Sequence, residues 1–200
     1  MLIIDEEQHF GVSQKEKIKS LRSNVHVLAL TATPIPRTLQ MSLVGLRDLS
    51  IISTAPLNRQ NINTEVIDFN DEKIISAIEY ELSRNGQVYY VCPRINELKE
   101  VEDFLKSKLP NVKYQIAHGQ MPSKNLKNTM IDFYNNEFQL LLCTTIVESG
   151  LDLQKTNTMI IHNSDKFGLS QLYQLRGRIG RSNIEAFCFY TVKDINGITE

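Results

Sequence analysis

The sequence predicts an α/β fold built on a parallel sheet, and three observations carry that prediction. Short apolar runs recur along the chain, amphipathic stretches of helical period separate most of them, and several of the runs are unbroken rather than alternating. An unbroken apolar run marks a strand covered on both faces. A strand followed by a helix and then another strand sets the two strands parallel.

In chain order the expected strands are Leu2–Ile4, Val25–Leu30, Thr64–Phe69, Gln87–Cys92, Tyr114–Ala117, Leu140–Thr144, Met159–His162 and Ala186–Tyr190. Between them lie three helices. Asp71 is expected to cap the first, whose Ile74, Ile75, Ile78 and Leu82 share a face and which ends near Asn85-Gly86. The second runs from about Asn96 to Leu109 with Leu98, Val101, Phe104 and Leu105 inward, and Pro110 closes it. The third starts at Ser123 and buries Leu126, Met130 and Phe133. The stretch TAPLNRQNIN, residues 54–63, has neither period and reads as a linker. It divides the chain into a first piece of residues 1–53, with too few strands to close a sheet, and an α/β unit over 64–193 with a short tail at 194–200.

Composition sets limits. The 200 residues are 42% hydrophobic and 22% charged, as in an ordinary globular protein, and the net charge of −1 gives no overall attraction to nucleic acid. Any contact with DNA must come from local patches. No apolar run approaches a membrane span and no signal peptide is visible at the N-terminus, so the expectation is a cytoplasmic protein without a membrane partner. Cys92, Cys143 and Cys188 are far apart and each lies in an apolar run, which predicts reduced core thiols.

Four short segments carry chemistry. Leu2-Ile3-Ile4 delivers Asp5-Glu6-Glu7-Gln8 at a strand end, an arrangement in which one carboxylate can hold Mg²⁺ and the next can orient water. Thr31-Ala32-Thr33-Pro34 places hydroxyls after a second strand. TTIVESGLD, residues 144–152, offers hydroxyls and backbone N–H groups to phosphate. QLRGRIGR, residues 174–181, sets Arg176, Arg178 and Arg181 around Gly177 and Gly180. Guanidinium groups suit a polyphosphate, and the glycines imply close approach to the backbone. Each segment alone has a bland reading as a solvated loop, a capped helix start or a basic turn. Together and in this order they describe the two halves of a nucleotide-hydrolysing cleft.

With those residues in view the chain resembles superfamily 2 helicases and translocases, the four segments matching motifs II, III, V and VI. HFGV at 9–12, TATPIPRTLQMSLVGLRDLSII at 31–52, HGQM at 118–121 and DKFGLSQLYQLRGRIGRSN at 165–183 resemble the bacterial transcription-repair coupling factors (Mfd), with the branch-migrating RecG helicases next. The resemblance implies a RecA-like parallel sheet with flanking helices: the tail of a first motor lobe, then a complete second lobe. It also implies ATP and Mg²⁺ as cofactors and double-stranded DNA as partner. RNA polymerase and excision-repair proteins would be engaged through modules absent from this chain.

Roles carried over by the resemblance are these. Asp5 holds the metal, Glu6 activates water, and Gln8, Gln174, Gly150 and Asp152 line the nucleotide cleft. Thr31 and Thr33 couple nucleotide state to DNA grip, Thr144 and Thr145 touch DNA, and Arg178 and Arg181 reach the phosphates, Arg181 contacting the γ-phosphate. His9 stands where the family usually has arginine, a departure that bears on the coupling detail rather than on the activity. No GxxxxGK followed by Ser or Thr occurs in the sequence, so the phosphate-cradling P-loop is missing. The expectation is a fragment of a larger ATP-driven translocase, inactive alone. The alternatives are a RecG-like branched-DNA helicase fragment and a non-catalytic module that binds nucleotide or nucleic acid.

Overall fold

The computed structural model describes residues 1–5, 10, 13, 17, 25–31, 50–52, 54, 61–69, 71–148 and 155–194. The chain forms two compact units, Met1–Thr54 and Ala55–Glu200.

In the first unit β1 (Leu2–Asp5) pairs in parallel with β2 (Val27–Leu30), in a register that sets Leu2 against Val27 and Asp5 against Leu30. Ile4 is buried, whereas all four residues of β2 are exposed. Val25 and His26, expected to open that strand, precede it, and the His26 carbonyl accepts from the Leu2 N–H at 2.8 Å.

The second unit holds a six-stranded parallel sheet in the order β3-β8-β7-β4-β6-β5. Its strands are β3 (Ile62–Asp68), β4 (Gln87–Val91), β5 (Tyr114–Ala117), β6 (Leu140–Cys143), β7 (Thr156–Ile161) and β8 (Ala186–Val192). Ile62 and Asn63, expected in the linker, are therefore strand residues: they pair with Ala186 and Phe187 at the start of β8. The helices are α1 (Asp71–Ser83), α2 (Ile95–Lys108), α3 (Ser123–Tyr134) and α4 (Leu169–Arg176), with short 3-10 turns at Thr145–Glu148 and Ser164–Lys166. α4 and the turn at Ser164–Lys166 were not anticipated, and the turn at Thr145–Glu148 falls where a capped helix start was the bland reading. Asp71 is itself the first helical residue rather than the cap that precedes it.

Helices lie on both faces of the sheet, and each face has its own core. On one, Ile74 and Ile78 of α1 and Leu98, Val101 and Leu105 of α2 pack on Val88, Tyr90, Leu140, Leu142 and Ile160. On the other, Phe133 of α3 and Leu175 of α4 pack on Tyr89, Val91, Leu141, Cys143, Met159 and Ile161. Every residue of β4, β6 and β7 is buried, as the unbroken apolar runs require. Cys92, Cys143 and Cys188 are buried free thiols, and burial pushes the Cys188 thiol up to about 12. They are inert core residues.

α1 ends in a Schellman motif. The Gly86 N–H donates to the Glu81 carbonyl at 3.0 Å, the Asn85 N–H to that of Leu82 at 3.0 Å, and Asn85 takes the left-handed place with φ 58°. Asparagine, not the adjacent glycine, therefore turns the chain here. α3 ends the same way: Asn136 has φ 63°, and the Glu137 N–H reaches the Asp132 carbonyl at 3.0 Å.

His162 directly follows β7 as an enclosed ring. It is 3% exposed, stands edge-on to Phe69 at 5.4 Å and lies 6.1 Å from Tyr90, and neither ring nitrogen has a hydrogen-bond partner. Burial lowers its pKa, and Glu100 and Glu97 oppose that shift only in part. The neutral ring is thus the native form. As pH falls below about 6.5 the unfolded chain takes up the proton first, and stability is lost towards the lower folded pKa. Urea midpoints should accordingly drop between pH 7.5 and 5.5 and drop less in His162→Phe; equal losses in both chains would exclude His162 as the cause.

Candidate nucleotide and nucleic-acid site

Two strand ends carry the acidic half. Asp5 is the last residue of β1 and is paired in register with Leu30, so Asp5 and Thr31 emerge side by side from the C-terminal edge of the small sheet, both exposed. Glu6, Gln8, Thr33, Gly150 and Asp152 lie outside the described residues. An exposed carboxylate at a strand end with a hydroxyl beside it is a hard-oxygen donor set suited to Mg²⁺. Among the described residues no cluster of three or more His, Cys, Asp or Glu side chains could hold a metal ion.

The second unit gathers the remaining candidates. β6 delivers Thr144 at the sheet's C-terminal edge, where its N–H donates to the Ala117 carbonyl at 3.2 Å, and Thr145 opens the 3-10 turn. Ile146 of that turn joins the cluster that holds Leu172 and Leu175 of α4. The TTIVE and QLRGRIGR segments are thereby brought together by apolar packing.

α4 is reached through a polar latch. Asn163, left-handed at φ 47°, donates through Nδ2 to Glu97 Oε2 at 2.7 Å, and Lys166 Nζ donates to the same oxygen at 2.9 Å. Burial pushes the Glu97 carboxyl up, but these hydrogen bonds and the Lys166 charge outweigh it and hold the group below the ordinary carboxylate range. Glu97 in the first turn of α2 thus fixes the loop that leads into α4. Nothing in the sequence alone pointed to this residue.

α4 begins at Leu169, with the Gly168 N–H donating to Gln171 Oε1 at 3.2 Å. It buries Leu175, leaves Leu169 and Tyr173 exposed, and presents Gln174 half-buried. Its last residue, Arg176, lies over the Tyr173 ring at 4.4 Å. Past Gly177 the chain keeps turning, the Arg178 N–H donating to the Leu175 carbonyl at 2.9 Å, and Arg178 and Arg181 are both half-buried. Both act on the ionisation of the buried Tyr89 phenol, which burial raises and their charge lowers.

The glycines serve different purposes. Gly180 has φ 68°, and a Cβ there would stand 3.0 Å from Ile62 Cγ1 and 3.2 Å from the Ala186 Cβ. Its close neighbour is the chain's own core at the start of β3 and β8. The expectation that a ligand approaches the backbone at this glycine is therefore corrected: packing alone accounts for it. At Gly177, which caps α4 with φ −64°, a Cβ would meet only carbonyl oxygens at 3.4 Å.

Comparisons with known proteins agree with this geometry. Residues 70–183 match the helicase conserved C-terminal domain. The transcription-repair-coupling factor of Rickettsia prowazekii is 53% identical over 199 residues, 100% of this chain and 18% of that protein. The chloroplastic ATP-dependent DNA helicase At3g02060 of Arabidopsis thaliana is 53% identical over 98% of this chain and 24% of its own length. The chain thus spans less than a quarter of these curated relatives. The structure of RecG bound to a three-way DNA junction superposes with a TM-score of 0.69 at 27% identity, over 98% of this chain and 32% of that one. Saccharomyces cerevisiae Dbp5, solved with RNA, shares the fold at TM-score 0.70 and 16% identity, over 97% of this chain and 53% of that chain. A fully parallel six-stranded sheet clad by helices on both faces, with Arg178 and Arg181 just past α4, is a RecA-like helicase lobe, and this chain belongs to the helicase conserved C-terminal domain family.

Proposed function

We propose that this chain is part of an ATP-dependent double-strand DNA translocase that acts in transcription-coupled DNA repair in the cytoplasm. The observation that carries the reading is 53% identity to a transcription-repair-coupling factor across the whole chain, with Arg178 and Arg181 set on a backbone fixed by core packing. Residues 1–53 form the tail of the first motor lobe and residues from Ile62 to about 193 the second. ATP and Mg²⁺ are its cofactors. Asp5 holds Mg²⁺ through water, which neutralises charge on the phosphates, and Glu6 activates the attacking water. Gln8, Gln174, Gly150 and Asp152 line the nucleotide. Thr31 and Thr33 couple its state to DNA, and Thr144 and Thr145 contact the DNA backbone. RNA polymerase and excision-repair proteins are engaged by modules outside these 200 residues.

The decisive test is a chimera, the Arabidopsis ATP-dependent helicase with this chain in place of its own aligned segment. It should hydrolyse ATP under duplex-DNA stimulation and lose that activity on Asp5→Asn, whereas the 200-residue chain alone should turn over none. A chimera whose turnover ignores Asp5→Asn would sink the reading. The likeness to junction-bound RecG favours a second reading, a branched-DNA helicase. Stimulation by three-way junctions far above linear duplex would select it.

A further inference from the structure

β7 contains a defect that the sheet has no need of. Gln87 pairs with Thr156, but the next residue, Val88, pairs with Thr158, so Asn157 is an extra residue with no partner across the ladder. Bulges are uncommon in parallel sheets and tend to re-aim side chains near working sites. Here the effect is visible in the flanking threonines. Thr156, two residues before Thr158, bonds with Gln87, whose amide donates to the Phe133 carbonyl of α3 at 2.6 Å, while the Thr158 hydroxyl donates to Glu81 of α1 at 2.5 Å. Residues that should share a face serve opposite ones.

The bulged Asn157 is completely buried, and both ends of its amide are in use. Nδ2 donates to the Lys155 carbonyl at 3.2 Å, which turns Oδ1 towards the loop after α4, where it accepts from Ser182 Oγ at 3.2 Å. The same hydroxyl accepts from the Ile184 N–H at 3.3 Å, so its orientation is fixed from both sides. Ser182 directly follows Arg181. On the other side of that arginine stands Gly180, left-handed and packed where no side chain fits, and before it Ile179 is fully buried. The backbone that carries Arg181 is thus clamped at both neighbours, by a core contact before it and a buried amide after it.

We infer that Ser182 and the bulged Asn157 are positioning residues for Arg181, setting the direction in which its guanidinium leaves the lobe. The inference rests on the reading of Arg181 as a phosphate contact. Asn157 is sealed in the sheet and acts only through the Ser182 hydroxyl. Preorganisation of this kind affects the step in which charge develops, not ground-state binding.

The test uses the same chimera with ATP and duplex DNA. Loss of one such hydrogen bond should lower kcat about three- to tenfold in Ser182→Ala, with KM for ATP and the melting temperature unchanged. Ser182→Thr, which keeps the hydroxyl, should restore most of kcat. An unchanged kcat in Ser182→Ala, or a fall matched by lower melting temperature and not rescued by threonine, overturns the inference. Arg181→Ala run in parallel separates the two ideas: if it leaves turnover intact, the phosphate role itself fails, whereas if it alone abolishes turnover, only the clamp does.

Discussion

Arg181→Ala in the chimera is expected to cut ATP turnover by a factor of about 10³ or more while leaving the fold in place, since an arginine that meets the transferring phosphoryl group supplies that order of rate. The local structure explains why the two effects should separate. Arg181 is half-buried, and its backbone is held on either side by the packing of Gly180 and the hydrogen bonds of Ser182. Removing the guanidinium therefore takes away charge and fork-shaped donors without opening a cavity in the core. Arg176 makes the contrast. Its guanidinium lies over the Tyr173 ring of its own helix at 4.4 Å, a contact worth about 0.5–1 kcal/mol, and it is not one of the two arginines read as phosphate contacts, so Arg176→Ala should change turnover far less. Steady-state ATPase rates with saturating duplex DNA, read beside melting temperatures, check both. Retained turnover in Arg181→Ala would remove it from the phosphate site.

Most of the sheet was legible in the sequence because its central strands are buried on both faces and so contain little but apolar residues. β5 begins and ends where the periodicity places it. β7 was read from Met159 rather than Thr156 because its first three residues, Thr156, Asn157 and Thr158, are polar yet buried. Their burial depends on partners distant in sequence, Gln87, Ser182 and Glu81, which no local window contains. α4 was missed for the opposite reason. It turns Leu172 and Leu175 inward but Leu169 and Tyr173 outward, so its apolar residues form no single stripe. The candidate site divides in the same way. Its motifs stand out because hydroxyls, carboxylates and arginines crowd the ends of strands and helices, where a parallel sheet presents its loops. The support behind them does not stand out: Glu97 and Asn157 look like ordinary polar residues until the fold brings Asn163 and Ser182 to them.

Gly86→Ala removes no atom, yet it should cost the fold a large share of its stability. The backbone raises no objection, because the left-handed residue of this turn is Asn85. The obstacle is Glu81. A Cβ on Gly86 would stand 1.6 Å from Glu81 Oε1 and 2.6 Å from its Cδ. A flexible side chain could swing away, but this one cannot. It is fully buried, and its Oε2 accepts from Thr158 Oγ1 at 2.5 Å and from Arg84 Nη2 at 2.5 Å and Nε at 3.2 Å. Arg84 is held in turn by the Glu185 carbonyl at 2.7 Å and lies 5.0 Å from the Tyr80 ring and 5.5 Å from that of Phe187. Moving the carboxylate breaks a buried ion pair and strands Thr158, a loss of about 3–5 kcal/mol. Against it stands about 0.4–1 kcal/mol gained because alanine restricts the unfolded chain. Strain therefore wins, and urea denaturation of the chain should show it. A double-mutant cycle identifies the cause: in a Glu81→Ala background the clash is gone, and Gly86→Ala should then cost little or even stabilise. If Gly86→Ala is as damaging without the Glu81 carboxylate as with it, the clash is not the reason the position is glycine.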